Sequence, residues 1–113
     1  MDELKKRVKV FVNDRKWKKY HTPKNLAESI SIEAAELLEE FQWKSEEEIG
    51  RLLEDFEKKK SVEEEIADVM IYCLSLANRL DINVSESVIE KLESNKEKYP
   101  VEEFKGKYHK PEI

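Results

Sequence analysis

The sequence has little of what builds tight turns and covalent cross-links. Its 113 residues include only 2 glycines, 3 prolines and 1 cysteine. Because β-hairpins depend on turn-forming residues, this composition favours long helices over a sheet. A single cysteine, Cys73, excludes an internal disulfide. Its place in an apolar helical run favours a small core residue over a catalytic thiol.

The chain also lacks a long apolar run and an excess of positive charge. We find no stretch of 18 apolar residues and no signal peptide, so we expect a cytoplasmic protein without a membrane partner. The net charge of −5 argues against binding to a nucleic acid polymer, since phosphate neutralisation needs a basic surface. A nucleotide stays compatible with this charge, because a bound metal ion can supply positive charge.

Apolar periodicity and capping residues predict four main helices and one short helix. The first covers residues 2 to about 18, and the second follows the cap Thr22-Pro23 and ends near Gln42. Capping boxes at 45–48 and 61–64 predict a short charged helix to about residue 58 and a third long helix. The segment 83–86 predicts the start of the last long helix. The charge runs at 46–48 and 58–60 are interpreted as solvated helix ends.

These elements predict an all-α, four-helix-bundle-like fold. By length the chain is a single domain over 1–113, with a core at about 2–100 and an irregular tail at 101–113. A bundle of this size leaves apolar surface uncovered, so we expect self-association.

Two pairs of acids lie beside apolar helical stripes. The segment 32–43, IEAAELLEEFQW, places Glu33 and Glu36 three residues apart, on one side of a helix. Glu65 and Asp68 repeat this spacing in EEEIADVMIY. If the two helices pack through their stripes, the four carboxylates meet.

Four carboxylates that meet need a cation, because like charges raise each other's pKa. Oxygen ligands alone favour Mg²⁺ or Mn²⁺, which also bind substrate phosphates. A di-iron bundle normally has Glu-x-x-His pairs, and neither His21 nor His109 lies in such a pair. The opposing interpretation is that these acids are ordinary exposed residues of an acid-rich protein. One pair alone would favour it, but two pairs favour a metal site.

Aromatic and polar groups flank the acids. The aromatic set is Trp17, Tyr20, His21, Trp43 and Tyr72. Each alone is typical of a core or capping residue, but together they could stack a base. Lys91 and Asn95 share a face of the last helix, with Lys98 a turn further, and alone they are typical of solvated surface. The sequence has no GxxxxGK[ST] phosphate loop, so a nucleotide would be held through metal and side chains.

Four segments in order resemble a known family. They read WKKYHTPKNL at 17–26, EAAELLEEFQW at 33–43, EEIADVMIY at 64–72 and KLESNKEKYP at 91–100. Together they resemble the MazG-like all-α nucleoside triphosphate pyrophosphohydrolases, most closely the dCTP pyrophosphatase branch, over about residues 8–100. The resemblance implies Mg²⁺-dependent conversion, with Mn²⁺ as a substitute, of a (deoxy)nucleoside triphosphate to the monophosphate and pyrophosphate. The implied substrate is dCTP or a modified dCTP, removed as nucleotide-pool house-cleaning.

The same resemblance implies site residues and an assembly. The catalytic Mg²⁺ ligands would be Glu33, Glu36, Glu65 and Asp68. The residues around the nucleoside would be Trp17, His21, Asn25, Trp43 and Tyr72. Those near the phosphates would be Lys91, Asn95 and Lys98, partly from a neighbouring subunit of a homodimer or homotetramer. Ile32 stands where many members carry a further acid, so this cage has one carboxylate fewer.

Two other functions remain open at this point. The first keeps the chemistry but acts on another non-standard nucleoside triphosphate. The second is a non-catalytic four-helix interaction or nucleotide-binding module, whose acids only decorate the surface.

Overall fold

The computed structural model describes residues 1–106, and this range contains α-helices and no strand. The helices are α1 (Asp2–Asp14), α2 (Pro23–Glu39), α3 (Glu46–Glu54), α4 (Phe56–Leu80), α5 (Val84–Lys98) and α6 (Val101–Phe104), with a 3₁₀ turn at Lys18–Tyr20. The predicted all-α class is confirmed. Among these helices none is both long and apolar enough to cross a membrane.

Three predicted helix starts are confirmed by their caps. The Thr22 hydroxyl accepts a hydrogen bond from the backbone N–H of Asn25 at 3.2 Å. Ser45 and Glu48 form the predicted capping box, with reciprocal hydrogen bonds of 3.2 and 3.3 Å. The side chain of Asn83 accepts from the backbone N–H of Glu86 at 3.0 Å. Each cap satisfies a backbone donor that the first helical turn leaves free.

The predicted start of the third long helix at 61–64 is wrong. Helix α4 begins six residues earlier, because Asp55 Oδ1 accepts from the backbone N–H groups of Glu57 at 2.9 Å and Lys58 at 3.3 Å. Ser61 lies inside the helix, where its hydroxyl donates to Glu40 Oε1 at 2.8 Å. A cap residue inside a helix can serve as a tertiary contact instead.

Other boundaries also differ from the prediction. Helix α1 ends at Asp14 rather than near 18, since Lys16 adopts a left-handed backbone with φ 55°. Helix α2 ends at Glu39, and the chain then turns through Trp43, whose φ is 67°. The tail, expected to be irregular from 101, begins with the one-turn helix α6. Residues 107–113, with His109, lie outside the described range.

Helix α4 is the centre of the fold, and α1, α2 and α3 pack against it. The buried apolar core is small and consists of Val8, Leu26, Val62, Leu74 and Ala77. On α4, the apolar residues Ile66 and Leu80 remain about half exposed. A single chain therefore covers only part of the apolar surface that the periodicity assigns to this helix.

A short turn sets the direction of α5. Asp81 adopts a left-handed backbone with φ 56° and ψ 48°, and the N–H of Ile82 donates to the carbonyl of Ala77 at 2.9 Å. These contacts end α4 by satisfying its last carbonyls. Lys5 Nζ donates to the carbonyl of Ile82, which ties α1 to the same turn.

Helix α5 makes no extensive contact with the other helices. Its apolar residues Val88, Ile89 and Leu92 are 50–60% exposed. The radius of gyration is 17.6 Å, whereas a compact chain of this length would have about 13 Å. The chain is thus extended, with an apolar arm that its own core leaves uncovered.

Replacing Asp55 tests the observed start of α4. We expect Asp55→Ala to lower the free energy of unfolding by about 1 kcal/mol, because two backbone donors lose their acceptor. Urea denaturation followed by circular dichroism measures this loss. Asp14→Ala is the matched control: its carboxylate lies at the negative end of the α1 dipole, so its removal should not destabilise the protein. Equal losses in both variants would contradict the assignment.

Candidate metal and nucleotide site

Helices α2 and α4 bring three predicted acids together. One carboxylate oxygen each from Glu33, Glu36 and Glu65 lies within 4.8 Å of the other two. The spacing of three residues on α2 places the first two acids on one side of that helix. The packing of α4 against α2 then supplies the third acid. We call these three residues the acid cluster.

The acid cluster is partly buried, and its like charges repel each other. Glu33 Oε2 and Glu65 Oε2 are buried and have no hydrogen-bond partner within residues 1–106. The pKa of Glu33 is raised to about 7, mainly by burial and then by the hydrogen bond with Glu36 and the charges of Glu36, Asp68 and Glu65. Burial, followed by the charge of Glu36, also raises the pKa of Glu65. A site of this kind favours either protonation or a bound cation.

The donor set fits a hard divalent ion. All the donors are carboxylate oxygens, and Glu33 and Glu65 each have one buried oxygen without a hydrogen-bond partner among the described residues. Mg²⁺ and Mn²⁺ prefer such ligands, and a cation there would compensate both the burial and the mutual repulsion. Asp68 lies near enough for its charge to raise the pKa of Glu33 and Glu65, although its carboxylate is not part of the 4.8 Å cluster.

An open cavity of about 430 Å³ adjoins the acid cluster. Its lining comprises Glu36, Glu39, Glu40, Lys44, Leu52, Lys58 and Glu65. The sequence interpretation missed the two lysines of this cavity and assigned 58–60 to a solvated helix end. The sequence spacing could have identified Lys58, because it precedes Glu65 by seven residues and therefore lies on the same face of α4. Both lysines place positive charge beside the acids.

The five residues expected around the nucleoside do not form one wall within a single chain. The Trp17 ring packs edge-on against Phe11, with 5.7 Å between ring centroids. The Asn25 side-chain amide donates to the carbonyl of Tyr20 at 3.0 Å, so it fixes the turn before α2. Trp43 is 93% exposed.

The other two nucleoside candidates lie deeper in the structure. Tyr72 is partly buried on α4, one turn beyond Asp68. His21 is also partly buried and lines a second cavity. The three residues expected near the phosphates are not brought to the acid cluster by packing within the chain, since they lie on α5: Lys91, Asn95 and Lys98.

A second cavity of about 100 Å³ lies between α1, the 3₁₀ turn and α4. We call it the basic cavity, because its lining carries three cationic residues and no acid. The lining residues are Lys9, Val12, Asn13, Lys18, His21, Ser75, Asn78 and Arg79. Of these, only His21 was a candidate from the sequence. The others come from two helices and a turn far apart in the chain, and no local motif connects them.

Comparison with known proteins gives consistent similarities. The MazG-like family model matches residues 28–110. dCTP pyrophosphatase 1 of Mus musculus is 33% identical over 106 residues, which cover 94% of this chain and 62% of that protein. The Homo sapiens dCTP pyrophosphatase 1 is 31% identical over 100 residues, which cover 88% of this chain and 59% of that protein. The chain thus spans less than two thirds of the length of these relatives.

A solved structure is similar over nearly its whole length. The crystal structure of a pyrophosphatase from Archaeoglobus fulgidus is 54% identical, with a TM-score of 0.80, and the match covers 88% of this chain and 92% of that one. These similarities confirm the resemblance that the four sequence segments predicted.

The raised pKa of Glu33 predicts how stability depends on pH without metal. Between pH 4.5 and about 7 the folded state keeps a proton that the unfolded state has lost, so this group destabilises the fold increasingly as the pH rises through that window. Glu33→Gln cannot ionise. We therefore expect the variant to gain stability over the unsubstituted protein progressively from pH 4.5 to 7, with a constant difference above it.

Urea denaturation in EDTA at pH 5, 6, 7 and 8 measures that difference. Glu28→Gln, an exposed position on the same helix, is the control and should show no trend with pH. A constant difference between Glu33→Gln and the unsubstituted protein across the series would contradict the strained cluster.

Proposed function

We propose, because this chain belongs to the MazG-like family and three of its carboxylates meet between α2 and α4, that it is a Mg²⁺-dependent nucleoside triphosphate pyrophosphohydrolase. Its substrate would be dCTP or a modified dCTP, and its products the nucleoside monophosphate and pyrophosphate. The names of the relatives support this substrate, since the mouse and human proteins are dCTP pyrophosphatases. The activity would clear unwanted nucleotides from the cellular pool.

The acid cluster is the observation that carries the proposal. Glu33, Glu36 and Glu65, with Asp68 beside them, would hold the metal. Magnesium bound there would polarise the α-phosphoryl group and bring water near the α-phosphorus. Glu36 or Glu65 would orient this water and accept its proton. The water oxygen would form a bond to the α-phosphorus while the bond from this phosphorus to the bridging oxygen breaks, so that pyrophosphate leaves.

Lys44 and Lys58 would assist the leaving group. Both line the cavity that adjoins the acid cluster, so a triphosphate that extends into this cavity would lie beside them. Positive charge at fixed positions stabilises the charge that develops on pyrophosphate as it leaves. In this proposal they complement Lys91, Asn95 and Lys98, whose helix stands away from the cluster of its own chain.

A dimer, or a dimer of dimers, would complete the site. Within one chain the apolar side of α5 is uncovered and Trp43 is almost fully exposed. A second copy would cover the apolar residues and bring its own α5 and Trp43 toward the first copy's nucleotide. The phosphate and nucleoside residues expected from the sequence would then meet the acids across a subunit boundary.

Pyrophosphate release tests the catalytic proposal. With Mg²⁺ and a panel of dATP, dCTP, dGTP and dTTP, we expect release of pyrophosphate and monophosphate, fastest for dCTP. Glu36→Gln should lower kcat by roughly 100-fold or more, because a metal ligand and its charge are lost. Glu28→Gln should retain the rate. An unchanged rate in Glu36→Gln, with circular dichroism showing an intact fold, would reject the acid cluster as the catalytic site.

Light scattering tests the assembly. We expect a mass of at least twice the 13.4 kDa of one chain at micromolar concentration. Ile89→Glu buries a charge in the proposed interface and should shift the protein toward monomer. Ser87→Glu adds the same charge at an exposed polar position of α5 and should leave the mass unchanged. A monomeric unsubstituted protein would contradict the shared site.

A further inference from the structure

Ser75 has a buried hydroxyl group without a partner. The residue is 6% exposed, and its Oγ makes no hydrogen bond to any residue of the described range 1–106. A helical serine commonly donates to the carbonyl four residues earlier, which here belongs to Ile71, but that contact is not formed. Since an unpaired buried hydroxyl is unfavourable, such a group in a cavity is available to a ligand that supplies the missing hydrogen bond.

The basic cavity, which Ser75 lines, selects the ligand by charge and size. Lys9, Lys18 and Arg79 offer hydrogen-bond donors, and the lining contains no carboxylate. The side-chain amide of Asn78 is already used, because it donates to the carbonyl of Lys5 at 3.0 Å. The cavity volume is about 100 Å³, smaller than the closed cavity of about 150 Å³ that holds benzene, but this cavity is partly open to solvent. A single six-membered ring with several acceptor atoms fits these properties better than a fused purine.

The spacing along α4 connects this cavity to the acid cluster. Lys58, Glu65, Tyr72 and Arg79 follow each other at intervals of seven residues and therefore lie on one face of the helix. Ser75 lies seven residues after Asp68 on the same side, which corresponds to about 10 Å along the axis. From one end to the other, this face carries a lysine, the carboxylates, an aromatic ring, the unpaired hydroxyl and an arginine.

This order matches the order of groups in a nucleotide. With the triphosphate at the carboxylates and its distal phosphates toward Lys58, the sugar and base must extend in the opposite direction. That direction leads past Tyr72 to Ser75 and the basic cavity.

We propose that Ser75 is a specificity-determining residue, whose hydroxyl hydrogen-bonds the edge of a pyrimidine base held in the basic cavity. The proposal rests on the proposed function for the position of the phosphates. The hydroxyl can donate to a ring carbonyl or accept from an exocyclic amine. A larger purine would have to displace the lining of α1 or the 3₁₀ turn.

Ser75→Ala separates this role from a structural one. Without nucleotide, the thermal unfolding midpoint should stay the same or rise, because the variant removes a hydroxyl that has no partner. With Mg²⁺ and dCTP, KM should increase by about tenfold while kcat changes little, as expected for a contact shared by ground and transition states. The preference for dCTP over dATP, measured as the ratio of kcat/KM values, should fall by a similar factor.

Two further variants control for side-chain volume and general effects. Ser75→Cys keeps the shape but donates more weakly, so its KM should lie between those of the unsubstituted protein and Ser75→Ala. Ser31→Ala removes an exposed hydroxyl from α2 and should leave KM and selectivity unchanged.

Deoxycytidine in EDTA probes the base contact alone, since it has no phosphate and needs no metal. Its thermal stabilisation of the protein should be lost in Ser75→Ala and retained in Glu36→Gln. If deoxycytidine binding depends on Ser75 in this way but the protein releases no pyrophosphate from any nucleotide, the proposed function is rejected and the base site is supported. Release of pyrophosphate with unchanged KM, selectivity and deoxycytidine binding in Ser75→Ala would reject the Ser75 proposal alone. A lowered unfolding midpoint in unliganded Ser75→Ala would also overturn it, because the hydroxyl would then stabilise the fold.

Discussion

The contact between α2 and α4 places like charges at a partly buried position, and the rest of the structure depends on this contact. Packing through apolar stripes is favourable, but it brings Glu33, Glu36 and Glu65 within 4.8 Å of one another. The pKa of Glu33 rises to about 7 as a result. A protein selected only for stability would replace these acids with apolar side chains. Their presence in the interface is the physical basis for assigning a function to it.

Helix α4 organises both the fold and the site. Its buried face holds α1, α2 and α3 around a small core, while the face marked by Glu65, Tyr72 and Arg79 repeats every seven residues. A straight helix is rigid and rises about 1.5 Å per residue. It therefore fixes the separation between the acid cluster and the basic cavity without help from loops.

The sequence predicted what depends on local chemistry. Caps at Thr22, Ser45 and Asn83 and the three-residue spacing of the acids are short-range features, and they predicted helix starts and an acid pair correctly. The start of α4 was mispredicted because Ser61 and Asp55 both resemble caps. Asp55 caps the helix through a local hydrogen bond, whereas Ser61 makes a tertiary hydrogen bond to Glu40. The basic cavity is lined by residues of α1, the 3₁₀ turn and α4. The periodicity within one helix does not predict which residues of other elements it contacts.

The turn after α4 affects the rate at which two copies of the chain would associate. Asp81 and the hydrogen bond from Ile82 to Ala77 fix the exit of α5 through local backbone geometry, not through contacts made by α5 itself. The direction of α5 is thus fixed before the chain meets a second copy. In the proposed assembly, the entropy of ordering it is lost during folding and not at docking. Rigid-body collision, rather than a coupled folding step, would then set the association rate.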